Sequence, residues 1–250
     1  MWAAEPIPRA LSLESPAAIF GPVSEPAGEP AQRVGPHAGL LVTFEGGEGS
    51  GKSTQVELLA RWLAEAGHHV TTAREPGTTA VGEAVRRFLL DTAPEELAPE
   101  AELALFLAAR AELTADVIAP ALAAGRTVLV DRYGDSSVAY QGYGRGLDPR
   151  VVAQANRWAM RGLEPDVTVL IDVPVEAGRT RRDRPLDRLE RAGSAFHERV
   201  RDGYRRMARE EPERFCVVDG TLPIDSIQTA IRDRVRALLA IRVPQRTETS

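Results

Sequence analysis

Gly46-Gly47-Glu48-Gly49-Ser50-Gly51-Lys52-Ser53, followed by Thr54, matches the pattern G-x-x-x-x-G-K-[ST]. It stands between an apolar run and a helical pattern, and no other stretch narrows the possible folds as far. Glycines at this density let the backbone curl until successive N–H groups point at one spot, and the next helix adds its positive end. Such a loop cradles phosphate oxygens. Lys52 reaches the β- and γ-phosphates of a nucleoside triphosphate, and the Ser53 hydroxyl is a ligand for Mg2+. The alternative is a chance glycine-rich turn, and the strand before and helix after argue against it. Residues 46–54 are therefore expected to bind a triphosphate. The loop alone does not say what becomes of it.

The rest of the chain alternates short apolar runs with longer helical patterns. Strands are expected at 40–44, 69–73, 127–130, 167–171 and 215–218. Helices are expected at 54–66, 83–90, 101–124, 149–161, 194–210 and 223–241, with Pro120 kinking or restarting the third. Strands that are apolar throughout and alternate with helices indicate a parallel sheet covered on both faces. The expected fold is α/β, a doubly wound five-stranded parallel sheet. Ligands of such sheets sit beyond the C-terminal strand ends, where the motifs below fall.

The ends of the chain differ from this middle. Residues 1–38 hold seven of the 18 prolines and no sustained periodicity. They read as a disordered N-terminal extension or as a misassigned start. One domain is expected at 39–242, and 243–250 reads as a C-terminal tail. A net charge of −5 with both signs mixed excludes a bulk nucleic-acid binder. The lone cysteine, Cys216, excludes an intrachain disulfide framework and a cysteine-based zinc site. No apolar run is long enough to span a bilayer, and residues 1–20 lack the parts of a secretory signal. A cytoplasmic protein without membrane partners is the expectation. Of the 31 basic residues 30 are arginine, which reflects GC-rich coding, and the single lysine is Lys52 of the loop.

Three further stretches carry chemistry. Arg74-Glu75-Pro76-Gly77-Thr78 closes the second strand. Asp131-Arg132-Tyr133 closes the third and runs into Ser136-Ser137-Val138-Ala139-Tyr140-Gln141-Gly142. Leu186-Asp187-Arg188-Leu189-Glu190 lies in an arginine-rich segment. Asp131, beside the loop strand, can hold Mg2+ directly or through water, or else cap a helix or pair with Arg132. Arg74 and Arg132 are planar forks that suit a phosphate, or else solvated surface arginines. Phe106 and Arg110 are four residues apart and share a helix face; Phe106 taken alone reads as core, and Tyr140 as an ordinary buried tyrosine.

Together with the phosphate loop, these motifs resemble the thymidylate (dTMP) kinase family across about 39–241. The resemblance implies a P-loop nucleoside monophosphate kinase fold and transfer of the γ-phosphoryl group of ATP to dTMP, with Mg2+ as cofactor. It implies a homodimer. It places Arg132 and Arg74 on the acceptor phosphate, with Glu48 near the acceptor sugar and metal. Phe106 would stack on the base, and Arg110, Ser137 and Gln141 would read or line it. Tyr140 would crowd out a 2′-hydroxyl. Metal ligands would be Ser53 and Asp131. Residues 178–191 would form a mobile lid whose arginines, Arg179, Arg181 and Arg184 in first place, meet the transferring group together with Lys52 and Arg132. Some family members carry an arginine inside the loop where this chain has Gly49, so the lid must supply that charge. Thr78 stands where the family usually has a second glycine, which implies some change of loop shape. A cis peptide is expected before Pro76. Two alternatives stay open at this point: a kinase with another nucleoside or nucleotide acceptor, and a P-loop nucleotide sensor that transfers nothing.

Overall fold

The structure is a computed structural model that describes residues 37–94, 97–181 and 186–242. In chain order its elements are β1 (Leu40–Glu45), α1 (Lys52–Glu65), β2 (Val70–Arg74), α2 (Ala80–Arg87), α3 (Pro99–Leu113), α4 (Ala119–Ala123), β3 (Thr127–Asp131), α5 (Gly134–Ser137), α6 (Pro149–Ala159), β4 (Val167–Asp172), α7 (Val175–Thr180), α8 (Ser194–Glu210), β5 (Phe215–Asp219) and α9 (Ile224–Arg242). The strands form one parallel sheet in the order β2-β3-β1-β4-β5. Leu40 of β1 faces Thr127 of β3, and Val42 faces Val167 of β4. The chain leaves β1 for one edge, returns to β3, and then crosses β1 to reach β4. That reversal opens a crevice at the C-terminal ends of β1 and its neighbours. The doubly wound fold is as expected.

A strand buried on both faces is apolar wherever no hydrogen-bond partner is supplied, and every residue of β1 is buried. Leu40, Val42 and Phe44 pack against Val56, Leu59 and Leu63 of α1 and Ile227, Ile231 and Val235 of α9. The other face meets α3, α4 and α8. There Leu41 and Val130 join Leu113 and Leu122, and Leu170 joins Phe196, Val200 and Tyr204.

Several element bounds differ from expectation for local reasons. Helix α1 begins at Lys52 rather than 54, because Gly51 takes a left-handed turn (φ 93°) that ends the loop one residue earlier. The helix expected at 101–124 is α3, a wide turn at Thr114–Ile118, and α4. Ala119 N–H bonds back to the Thr114 carbonyl, five residues away, next to Pro120, which has no N–H to continue the α pattern. Helix α2 starts at Ala80, where the Thr79 hydroxyl accepts from Gly82 N–H at 3.0 Å. The short helix α5 and the wide turn Val138–Gly144 were not foreseen, because Gly134, Gly142 and Gly144 are poor helix formers. Of the 1–38 extension only His37 and Ala38 are described; the rest of it and the tail 243–250 lie outside the described residues.

The second face of β1 ends in polar residues, Thr43 and Glu45, both fully buried. Thr43 pairs with Thr168 of β4 at 3.0 Å, and Thr168 donates to Asp135, which also binds Arg214 at 2.6 Å. Glu45 accepts from Tyr133 N–H at 2.7 Å, Ser136 Oγ at 2.6 Å and Tyr204 Oη at 2.7 Å. It thereby ties β1 to the turn after β3 and to α8. Burial first, and then Asp135, push its carboxyl up to about 7, against the hydrogen bonds from Ser136 and Tyr204 and the charge of Arg132.

A carboxyl that titrates higher in the folded chain keeps its proton there while the unfolded chain has lost it. The stability tied to Glu45 is then complete below pH 4.5 and is lost as pH rises through about 7. Glu45→Gln keeps the neutral shape at every pH. Relative to the parent, the variant should gain about 1–3 kcal/mol of unfolding free energy between pH 4.5 and 8. Denaturant unfolding of both proteins across that range is the check; parallel curves would show that Glu45 does not titrate there.

Candidate active site

The phosphate loop curls over the C-terminal end of β1. Lys52 Nζ donates to the carbonyls of Gly46 (3.2 Å) and Gly47 (2.9 Å) and to Ser50 Oγ (3.3 Å). The ammonium is therefore held inside the curl. Burial and the neighbouring Arg132 lower its pKa, against Glu48, Asp131 and Glu45, which favour the charge. Ser53 Oγ donates to Asp131 Oδ2 at 2.6 Å, so the end of β3 and the start of α1 meet through the two expected metal ligands. Residues 48–54, with Asp131 and Arg132, line a cavity of about 370 Å3.

A second, narrower cavity of about 90 Å3 lies beyond it. Phe106, Ser137, Tyr140 and Gln141 line this one, together with Leu189 from the far side of the arginine-rich segment. Glu48, Glu75, Arg86 and Arg132 line both cavities, so they mark where the two lobes join. The arrangement suits two ligands meeting end to end. A larger cleft of about 600 Å3 between α6 and α8 holds no loop residue, and several of its charges pair within it, as Arg214 does with Asp135.

Arg132 sits at the junction with φ 70°, a conformation uncommon outside glycine. Its guanidinium donates to Glu48 Oε1, to Tyr140 Oη at 3.1 Å and to the Gly46 carbonyl at 3.2 Å. It also lies 5.0 Å from the centre of the Tyr140 ring. Tyr140 Oη in turn donates to Glu48 Oε1 at 2.9 Å. Burial opposes charge on Glu48, but Arg132 and Lys52 hold its carboxyl well below the usual range. The junction thus carries an ionised pair whose arginine still faces both cavities.

Arg110 differs from expectation. It is completely buried and is not on the cavity wall. Its five N–H groups all meet protein acceptors: both oxygens of Glu75, Ser137 Oγ at 3.0 Å, Asn156 Oδ1 and the Tyr133 carbonyl at 3.2 Å. Contact with a base would require one of these bonds to be given up. What Arg110 does here is fix Ser137 and the Glu75 end of the acceptor loop. The signal was available in the Arg-Glu-Pro motif, but the pairing spans 35 residues of sequence.

The remaining expected residues are placed as follows. Arg74 lines the larger cavity, half-exposed, and donates to Glu83 at 2.9 Å. The Glu75–Pro76 peptide is cis, as expected. Thr78 adopts φ 69° and so keeps the backbone that a glycine would have. Its hydroxyl bonds to the Arg74 backbone, and its N–H donates to Glu83. Arg181 reaches the larger cavity and donates to the Gly220 carbonyl at 2.9 Å. Arg179 turns onto Glu176 of its own helix and lines neither cavity. Arg184 lies outside the described residues, as do 182, 183 and 185. Arg86 was missed. It lines both cavities, donates to the Pro76 carbonyl at 3.1 Å, and makes no ion pair among the described residues. One arginine among 30 has no local signature.

Among the described residues, no helix is long and apolar enough to cross a membrane. No three His, Cys, Asp or Glu side chains group as a metal site among them.

The absence of a side chain at Gly49 has a steric cause. A Cβ there would lie 2.1 Å from the Gly178 carbonyl oxygen of α7, and φ is 68°. The loop and the foot of the expected lid touch backbone to backbone. Gly49→Ala should push α7 off the loop, weaken ATP binding at least ~10-fold and lower stability by about 1–2 kcal/mol. Calorimetric titration with ATP and thermal unfolding test this, and unchanged affinity would mean that the contact is dispensable.

Comparison with known proteins agrees with this geometry. The family model described as thymidylate kinase matches residues 44–231. The thymidylate kinase of Geotalea uraniireducens is 45% identical over 213 residues, covering 81% of this chain and 99% of the relative. That of Clavibacter michiganensis is 47% identical over 205 residues, covering 81% and 97%. The crystal structure of thymidylate kinase from Ehrlichia chaffeensis superposes with a TM-score of 0.65 at 34% identity, covering 79% of this chain and 98% of that one. The chain belongs to the thymidylate kinase family.

Proposed function

We propose that the protein transfers the γ-phosphoryl group of ATP to dTMP, giving ADP and dTDP. The observation that carries this reading is the pair of cavities joined at Arg132 and Glu48, one walled by the phosphate loop and the other by Phe106, Ser137, Tyr140 and Gln141. ATP phosphates lie in the first with Lys52 between them. The nucleoside of dTMP lies in the second, its base against Phe106 and its sugar under Tyr140. The acceptor phosphate then reaches the junction.

An oxygen of the dTMP phosphate attacks the γ-phosphorus in line, and the bond to the β–γ bridging oxygen breaks. The nucleophile is already an anion, so no strong general base is required. The protein's task is alignment and charge neutralisation. Lys52 and Arg181 serve the donor side. Arg132 and Arg86 serve the acceptor phosphate, with Arg74 close by. Arg86, which has no carboxylate partner among the described residues, is a cation readily given to a phosphate. Ser53 and Asp131 offer the hard oxygen donors that suit Mg2+. The ion would be held there by the hydroxyl and, directly or through water, the carboxylate, and would neutralise phosphate charge. Glu48 keeps Arg132 aimed at the junction. A cytoplasmic location fits substrates that are free nucleotides of the cell interior.

We take the active form to be a homodimer. Val81 and Phe88 on and after α2, and Val151 and Trp158 on α6, are large apolar residues left exposed, Trp158 by 78%. Helix α3 packs against both α2 and α6, so these residues border one layer. A second copy would cover such a surface. Light scattering should give twice the chain mass, and Trp158→Arg should shift it towards the monomer.

The acceptor reading is tested by comparing turnover of dTMP, dUMP, dCMP and thymidine with ATP. dTMP should have the highest kcat/KM; better use of dCMP or thymidine would overturn the reading, and ATP binding without transfer would indicate a sensor. Lys52→Ala should lower kcat at least ~100-fold. Near-normal rates would remove Lys52 from the mechanism.

A further inference from the structure

The polar wall of the acceptor cavity is set from behind by a residue that does not line it. Ser137 and Gln141 are four residues apart in the helical segment after β3, hence side by side, and each is only 1% exposed. Gln141 Nε2 donates to Glu102 Oε1 at 2.9 Å. A carboxylate can only accept, so the amide must turn its NH2 end to Glu102. Gln141 Oε1 is then the group it offers to the cavity. No donor among the described residues reaches that oxygen.

Glu102 is itself immobilised. It is 0% exposed, and its other contacts are Arg145 Nε at 3.2 Å, Arg145 Nη2 at 3.1 Å and Arg188 Nη2. Four donors therefore fill the lone pairs of its two oxygens. Burial works against the charge, but the hydrogen bonds from Arg145, Gln141 and Arg188 hold its carboxyl below the usual range. Arg188 stands just beyond residues 182–185 and is tied to the Leu89 carbonyl at 2.9 Å, so the grip also fixes the segment that carries Leu189 into the cavity.

Beside the Gln141 acceptor, Ser137 Oγ accepts from Arg110 at 3.0 Å, which leaves its own proton to donate. The wall thus presents a donor next to an acceptor. A 4-oxopyrimidine offers the complement, a carbonyl oxygen next to an N3–H. A 4-aminopyrimidine offers the reverse. We propose that Glu102 is a positioning residue for base choice: by fixing the Gln141 amide it sets an acceptor against N3–H and rejects 4-aminopyrimidine nucleotides. This rests on the dTMP reading of the cavity.

Glu102→Gln tests it. Oε2 accepts from two arginine groups and Oε1 from one, Arg145 Nε at 3.2 Å, so the new NH2 group takes the Oε1 place, where it gives up the Arg145 Nε bond and faces Gln141. Gln141 would turn over and present its own NH2 to the cavity, matching the N3 lone pair of cytosine. We expect the ratio of dTMP to dCMP kcat/KM to fall at least ~10-fold, chiefly through KM for dTMP, with kcat and the KM for ATP little changed. Glu102→Asp keeps the charge for Arg145 and Arg188 while drawing back from Gln141, and should shift the ratio the same way if Glu102→Gln does not fold. In a Gln141→Ala background neither change should alter the ratio further. If Gln141→Ala itself leaves the ratio unchanged, the base-site reading fails. If Gln141→Ala shifts it but the folded Glu102 variants do not, Glu102 is only structural and the proposal is overturned.

Discussion

The Arg132–Glu48 pair is the constraint on which the rest of the site depends. Two anionic ligands must meet at one point, and the cations that draw them there repel one another beforehand. Arg86 makes no ion pair among the described residues, but a partly buried cation such as Arg132 needs a carboxylate that steadies it without closing its approach to the ligand. Glu48 does this from inside the phosphate loop, where it faces Arg132 and lies close to Lys52. The same solution recurs one layer out. Glu75 holds Arg110, Glu102 holds Arg145 and Arg188, and Asp135 holds Arg214. A buried ion pair is weak evidence for stability, since desolvation offsets most of the attraction. What such pairs provide here is orientation of planar, multi-donor groups, even where a donor such as Arg188 Nη1 is left without a hydrogen bond among the described residues.

Glu45 shows why that scaffold reaches into the sheet. Arg132 follows β3 directly with a left-handed backbone, which only a firmly held turn can sustain. Glu45 takes the very next N–H, from Tyr133, and the Ser136 hydroxyl of the same turn. A buried carboxyl at the end of the central strand is thus the underside of Arg132. Its cost in desolvation is tolerated because the turn it braces holds Arg132 at the junction of the two cavities.

How much of this was legible in the sequence follows from the range of each interaction. The phosphate loop was readable because its geometry is local: glycines, lysine and serine within eight residues, with a strand before and a helix after. The five strands and their parallel, doubly covered sheet followed from apolar runs alternating with helical patterns, whereas the strand order came only with the structure. Phe106, Ser137, Tyr140 and Gln141 were placed by resemblance and do share one cavity. Arg110 was assigned to the base and proved to be saturated by Glu75, Asn156 and Ser137, partners that no local pattern reveals. Glu45 and Glu102 had no motif of their own; a glutamate in a strand or helix reads as a surface residue until its burial is known. Thr78 takes a left-handed backbone, φ 69°, that its residue type does not announce. Its own hydroxyl and Glu83 stabilise a backbone that intrinsic preference disfavours.

The arginine-rich composition sharpens the same point. With 30 arginines, abundance says nothing about role, and the structure sorts them by their partners. Arg150 and Arg206 sit on the surface paired with neighbours on their own helices or caps. Arg110 and Arg214 are interior struts whose donors go to protein, and Arg188 is a third, with Nε and Nη2 held and Nη1 left without a partner among the described residues. Arg86 and Arg132 line both cavities. Lys52 is different in kind. Its three N–H groups are spread around a point and fit inside a curl of carbonyls, as they do with Gly46 and Gly47, where a flat guanidinium would not. A coding bias that replaced lysine elsewhere could not do so there, because the loop selects for the compact shape of the cation as well as for its charge.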